Sequence, residues 1–337
     1  MQSPFIDFLS RHMDEINDHL VAFFVDQTDN ADIDAYLYAP LKRYTDNPGK
    51  RHRPLICMLA AQAVGGDFHS AISAAAAIEH FQTAALIHDD IADNGHMRRG
   101  MPCLHITEGT GLAINCGDYA LTLVTDAVLR DDALEDSVKL RVLRELVDMM
   151  QRTVEGQALD LGWVRDRRFD LTVDDYLCMA THKTAFYSGA IPLACGAIIG
   201  GGTDEQVEAL RSFGLDTGLA FQIQDDLLNL IGEKESKNKD FRSDITEGKR
   251  TLVAVHALGS PAHHDELVSI LSSETDDPAA LDRAVEIFEA CGSIEHARAY
   301  ALELTDRAKR TLAGVELDPH CKDLLTAMAD FFVERLS

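Results

Sequence analysis

The sequence predicts an all-α protein. Apolar residues recur at spacings of three and four through most of its 337 residues. No segment alternates strictly enough, or carries enough Val, Ile and Thr, to predict a strand. The runs 70–88, 113–130 and 188–199 are apolar on most sides, and a helix without a polar face belongs in the middle of a bundle.

Phe5, Phe8, Leu9, Met13, Ile16 and Leu20 make the first helix amphipathic. Residues 52–64 and 70–88, rich in Ala, Leu and Ile, predict two more, with breaks at Pro48-Gly49 and Gly65-Gly66. The Gly95 to Pro102 stretch interrupts the pattern, and Asp131-Asp132 separates helices expected over 113–130 and 136–162. Residues 173–186 and 188–199 follow, ended by Gly200 to Gly202, and then 204–231. Residues 232–249 are polar, and so long a loop is usually functional or mobile. Helices resume at 250–258, 264–273, 279–290, 293–312 and 319–335, with a break from Asp276 to Pro278. No low-complexity linker interrupts them, so residues 1–337 read as a single domain.

Composition narrows the function. The chain is 46% hydrophobic and 26% charged, enough for a sizeable core. A formal net charge of -25 argues against nucleic-acid binding and against docking on anionic membranes. The seven cysteines are scattered, with no CxxC pair, which fits a reducing cytoplasm. The N-terminus lacks the basic start and apolar core of a signal peptide. No run reaches the roughly 18 apolar residues needed to span a bilayer, so stable membrane insertion is not expected.

Two aspartate clusters stand far apart in the chain. Asp89, Asp90 and Asp93 lie in LIHDDIADNGHMRRG; Asp225 and Asp226, closed by Asn229, lie in FQIQDDLLNLIG. Residues four apart share a helix face, which pairs Asp89 with Asp93 and Asp225 with Asn229. Carboxylates stacked this way repel one another. A hard cation relieves that repulsion, and oxygen-only ligands suit Mg²⁺, which completes its shell with substrate phosphates. Cations accompany the clusters: Lys50, Arg51 and Arg53 in GKRHRP, then Arg98, Arg99, Lys183, Lys249 and Arg250. Guanidinium forks and lysines are the donors that phosphate oxygens need.

In order along the chain, GKRHRP, DDIAD, RRGMP, GQALDL, KTA, FQIQDD, DITEGKRT and CGSIEHA resemble the trans-isoprenyl diphosphate synthase (polyprenyl synthetase) family, most of all its geranylgeranyl diphosphate synthases. The resemblance covers nearly the whole chain. It implies a bundle of antiparallel helices of the isoprenoid-synthase type around a deep central cavity, and a homodimer. It implies head-to-tail condensation of isopentenyl diphosphate with an allylic diphosphate (dimethylallyl, geranyl or farnesyl), with three Mg²⁺ ions present. Asp89, Asp93 and Asp225 would bind metal directly, and Asp90, Asp226, Asn229 and Asp244 would stand behind them. Arg98, Lys183, Lys239 and Lys249 would grip the allylic diphosphate. Lys50, Arg51, Gln82 and Arg99 would hold isopentenyl diphosphate. Thr184 and Gln222 would line the place where the allylic carbon ionises.

This chain departs from the family pattern in places. Asn229 stands where many relatives have a third aspartate, and Gln82 where histidine is common. Both replacements keep a hydrogen-bonding group. The positions four and five residues before Asp89 are Ala85 and Ala84, where short-chain synthases place an aromatic floor. Small residues there leave room past fifteen carbons, with Phe81 one turn deeper as the next stop. The expected product is therefore geranylgeranyl diphosphate, with farnesyl or longer polyprenyl diphosphates as alternatives. A cyclase on the same fold would lack the second-substrate cations, and a regulatory subunit would tend to lose its aspartates.

Overall fold

The computed structural model describes residues 3–25, 27–47, 49–232 and 241–334. It is helical almost throughout, as expected. The contacts divide into two compact units. The first comprises Met1–Asp148, Ile191–Arg211 and Val315–Ala327; the second comprises Met149–Ala190, Ser212–Gly314 and Met328–Ser337.

In the first unit, helix Ile72–Ala92 packs along both His52–Ala63 and Thr110–Leu129. Helix Ile191–Ile199 lies against His52–Ala63. The amphipathic helix Pro4–Val21 closes this core with Phe5, Phe8, Leu9, Ile16 and Leu20. Each large apolar side chain buried in this way contributes roughly 1.5–3 kcal/mol. In the second unit, helix Leu252–Leu258 packs on Val173–Ala180, Pro278–Ala290 and Ser293–Ala313. Leu252, Phe288, Ile287 and Leu304 lie in its core.

Several elements differ from expectation. Residues 31–46 are helical, with Asp34–Tyr38 wound as π-helix, although their sequence shows weak periodicity. Residues 173–199 form one continuous helical run in which Thr181–Ala190 is π-helical, so the expected break near 187 is absent. Among the described residues the only strands are Met97–Arg98 and Met101–Pro102, paired antiparallel. Arg99 (φ 53°) and Gly100 (φ 78°) form their two-residue turn. Positive φ at both central positions is the type I′ signature, and its twist matches the strands. Two residues per strand are too few for an alternating pattern to show in sequence.

Among the described residues one helix, Thr110–Leu129, is long and apolar enough to cross a membrane by length and composition, although no uninterrupted apolar run of that length is present in it. It carries Asp118 and Asp126 and packs along Ile72–Ala92.

Candidate active site

The first aspartate cluster stands at the end of helix Ile72–Ala92. Asp93 is the C-cap, Asn94 turns left-handed (φ 51°), and the Gly95 N–H donates to the Asp90 carbonyl at 2.8 Å. Asn94 N–H reaches the Ile91 carbonyl at 3.3 Å, completing a Schellman stop. All three carboxylates therefore sit in the last turn and cap, where the helix dipole is negative and disfavours them. Consecutive helical residues point about 100° apart, and the cluster splits accordingly. Asp90 is buried at 1% exposure, whereas Asp89 is 26% exposed. The Asp90 Oδ1 accepts from Arg98 Nε at 2.7 Å and from Nη2 at 2.5 Å, and Oδ2 accepts from Tyr44 Oη at 3.2 Å. Burial, and then the Asp90 charge, raises the Tyr44 phenol. Burial alone would lower Arg98, but Asp90 outweighs it and holds the guanidinium charged. Arg98 Nη2 also comes to 3.6 Å from Asp89.

The hairpin that carries Arg98 also places Arg99. Burial pushes the Arg99 guanidinium below its ordinary range; Glu79 and Tyr44 act against that shift, and Arg51 and Arg53 add to it. Gln82 is buried, and its side-chain oxygen has no hydrogen-bond partner among the described residues. Arg51, expected to face the second diphosphate, instead turns inward. Its guanidinium donates to Glu79 and to the Thr45 carbonyl, and its Nε donates to Asn17 Oδ1 at 2.7 Å. Phe81 and Ala84 are buried, and Ala85 is half-buried. Ala84 packs in a cluster with Phe24, Leu41, Cys116 and Ala120.

In the second unit, the cluster on helix Asp204–Ile231 splits in the same way. Asp226 is 9% exposed and Asp225 is half-buried. A hydrogen-bonded chain leads to Asp226: Thr184 Oγ1 donates to Gln222 Oε1 at 2.7 Å, and Gln222 Nε2 donates to Asp226 Oδ1 at 2.6 Å. Tyr176 Oη donates to Asp226 Oδ2 at 2.8 Å. Asn229 ties down the next turn: its Nδ2 donates to Ser243 Oγ at 3.0 Å and its Oδ1 accepts from Asp244 N–H at 3.3 Å. Its amide thus provides a donor and an acceptor at once, which a carboxylate could not. Lys239 lies outside the described residues.

Lys183 lies in the π-helical segment, and a Cβ on Gly156 would come within 2.2 Å of its backbone nitrogen. Only glycine lets the GQALDL and KTA stretches approach so closely. Asp160, from GQALDL, is 4% exposed and accepts from Lys183 Nζ at 2.5 Å and from Lys249 Nζ at 3.4 Å. Burial would raise the Asp160 carboxyl, but the two lysines outweigh burial and hold it below the ordinary range. Asp226, Asp244, Lys249 and Thr251 line one cavity of about 10 Å³, the room of about one water. Arg250 is structural: it lies over the Phe169 ring at 4.0 Å and donates to the Arg168 carbonyl at 2.6 Å, and burial lowers it to about 10.

The donor set fits Mg²⁺. Asp89, Asp93 and Asp225 offer oxygen on half-buried side chains. Among the described residues no three His, Cys, Asp or Glu side chains converge as a ready-made cage. Mg²⁺ needs none, since one or two carboxylates, waters and substrate phosphates complete its shell.

Sequence reasoning did not single out Asp160, Glu79, Tyr44 or Tyr176. The signal for Glu79 was available: a lone carboxylate inside an apolar, alanine-rich helix demands a buried partner.

Because Asp160 is held low, its pairing stabilises the fold at neutral pH, and the gain is lost as pH falls through its depressed folded-state value. Asp160→Asn should cost about 1–3 kcal/mol at pH 7, the lysines being partly solvated. In urea unfolding, that difference from the native chain should shrink below pH 4 and vanish at the acid extreme.

Residues 34–288 match the polyprenyl synthetase family. The chain is 40% identical over 289 residues to a short chain isoprenyl diphosphate synthase of Methanothermobacter thermautotrophicus, covering 85% of this chain and 86% of that one. It is 37% identical over 318 residues to a geranylfarnesyl diphosphate synthase of Natronomonas pharaonis, covering 89% and 90%. A crystal structure of geranylgeranyl pyrophosphate synthase from Corynebacterium glutamicum, complexed with isoprenyl diphosphate and magnesium, superposes with a TM-score of 0.87 at 28% identity over 99% of both chains. With its ordered motifs and all-α architecture, this chain belongs to the polyprenyl synthetase family.

Proposed function

We propose that this chain is a trans-prenyltransferase that joins isopentenyl diphosphate head-to-tail to an allylic diphosphate, with geranylgeranyl diphosphate as product. One observation supports this most: in each aspartate pair one carboxylate is buried and internally hydrogen-bonded while its neighbour is half-buried, at 26% exposure for Asp89. Asp89, Asp93 and Asp225 are the direct metal ligands in this reading, and Asp90, Asp226, Asn229 and Asp244 fix the backbone and side chains around them. Mg²⁺ held there, three ions with substrate bound, supplies positive charge against the departing diphosphate.

Arg98, Lys183 and Lys249 hold the allylic diphosphate, with Lys239 as a further donor. They neutralise charge as the allylic C–O bond ionises. The Thr184–Gln222–Asp226 chain holds the Gln222 amide in place, and in this reading Thr184 and Gln222 line the space where the allylic carbon ionises. Lys50, Gln82 and Arg99, with Arg53 in place of the inward-turned Arg51, hold isopentenyl diphosphate so that its double bond attacks the allylic carbon. A proton then leaves the adjacent carbon, and the released diphosphate accepts it. The chain is a single catalytic domain in this reading, in a cytoplasmic homodimer.

The family names above span several product lengths, and the small side chain of Ala84 supports a product longer than fifteen carbons. Two outcomes test these assignments. Asp89→Ala should lower Mg²⁺-dependent consumption of isopentenyl diphosphate by at least about a hundredfold, with its far-ultraviolet circular dichroism unchanged; full turnover would remove the metal assignment. Ala84→Phe should shift the product to fifteen carbons or fewer in mass spectra, and an unchanged product would sink the tail-path assignment.

A further inference from the structure

The buried pair of Arg51 and Glu79 is not a surface ornament of the GKRHRP turn. Arg51 and Glu79 side chains are 2% and 4% exposed. Arg51 adopts a left-handed backbone (φ 47°), which a non-glycine residue holds only when its surroundings demand it. Each edge of its guanidinium is taken: Nη1 by Glu79, Nη2 by the Thr45 carbonyl and Nε by Asn17 at 2.7 Å. Three segments thus converge on one side chain: helix Pro4–Val21, helix Ala39–Asp46 and helix Ile72–Ala92. Arg51 stands between Lys50 and Arg53, and Glu79 lies one turn before Gln82. The Arg99 guanidinium lies against Gly49, 2.6 Å from where a Cβ would stand. An ion pair this deeply buried cannot release Arg51 to an incoming anion without stranding the Glu79 charge.

We propose that Arg51 and Glu79 are positioning residues for the isopentenyl diphosphate site: they do not touch the diphosphate but fix the turn that presents Lys50 and Arg53 beside Gln82 and Arg99. The proposal rests on the reading of those four residues as the second-substrate site. It makes a prediction opposite in sign to simple charge. Glu79 is an anion beside an anion site, so deleting its charge should tighten diphosphate binding if position were unimportant. It should equally tighten binding if freed Arg51 were itself a ligand. Positioning requires the reverse.

The test is steady-state kinetics on the full-length chain with Mg²⁺, varying isopentenyl diphosphate at saturating allylic diphosphate and then the converse. Glu79→Gln should raise KM for isopentenyl diphosphate about tenfold or more, since a small misplacement of binding groups is costly. KM for the allylic diphosphate should stay within about twofold. Asn17→Ala removes only the half-exposed partner and covers the case in which Glu79→Gln fails to fold; it should raise the same KM about threefold. A KM for isopentenyl diphosphate that is unchanged or lower in both variants overturns the proposal. Arg99→Gln serves as the control on the underlying reading. If it raises that KM while the other two do not, only the positioning role is wrong. If it too leaves KM unchanged, the second-substrate site itself is misplaced and the pair falls with it.

Discussion

Adjacent residues on an α-helix cannot face the same way, and each aspartate pair in this protein depends on that constraint. Asp90 and Asp226 turn inward, where Arg98 with Tyr44, and Gln222 with Tyr176, satisfy them. Asp89 and Asp225 are left half-buried on the same turns. An exposed carboxylate alone would swing through its rotamers. Under the proposed function, a neighbour locked in the core fixes the backbone that carries each metal ligand, so part of the ordering entropy is lost on folding instead of on binding.

The same device serves the cations. Lys183 and Lys249 share Asp160, and Arg51 is held by Glu79. Buried carboxylates beside the proposed site for an anionic substrate are counterproductive until position is weighed against charge. Unpaired lysines and arginines would repel each other and splay into water. A single internal carboxylate, Asp160, gathers the two lysines instead. The chain's overall charge of -25 is therefore no guide to its local fields.

Much of this was legible in the sequence. Helix 204–231 was delimited to the residue, because its periodicity is unbroken and a Gly run precedes it. The motif order pointed to the family. What escaped has physical reasons. The helical turns over 31–46 bury few residues of their own, so no apolar stripe marks them. The Arg98–Arg99 hairpin is shorter than any periodic pattern. Arg51 and Arg250 read as ligand-facing or surface cations because arginine is usually exposed; each is buried against partners distant in sequence, Glu79 and the Arg168 carbonyl. Long-range pairing of that kind leaves no local trace, whereas a glutamate in an apolar helix does.

The most direct test of the central claim is the product spectrum. The purified chain, with Mg²⁺ and isopentenyl diphosphate, would be given the five-, ten- and fifteen-carbon allylic primers separately and the products weighed by mass spectrometry. The account predicts elongation from each primer to a dominant twenty-carbon diphosphate. Absence of elongation from every primer would contradict it.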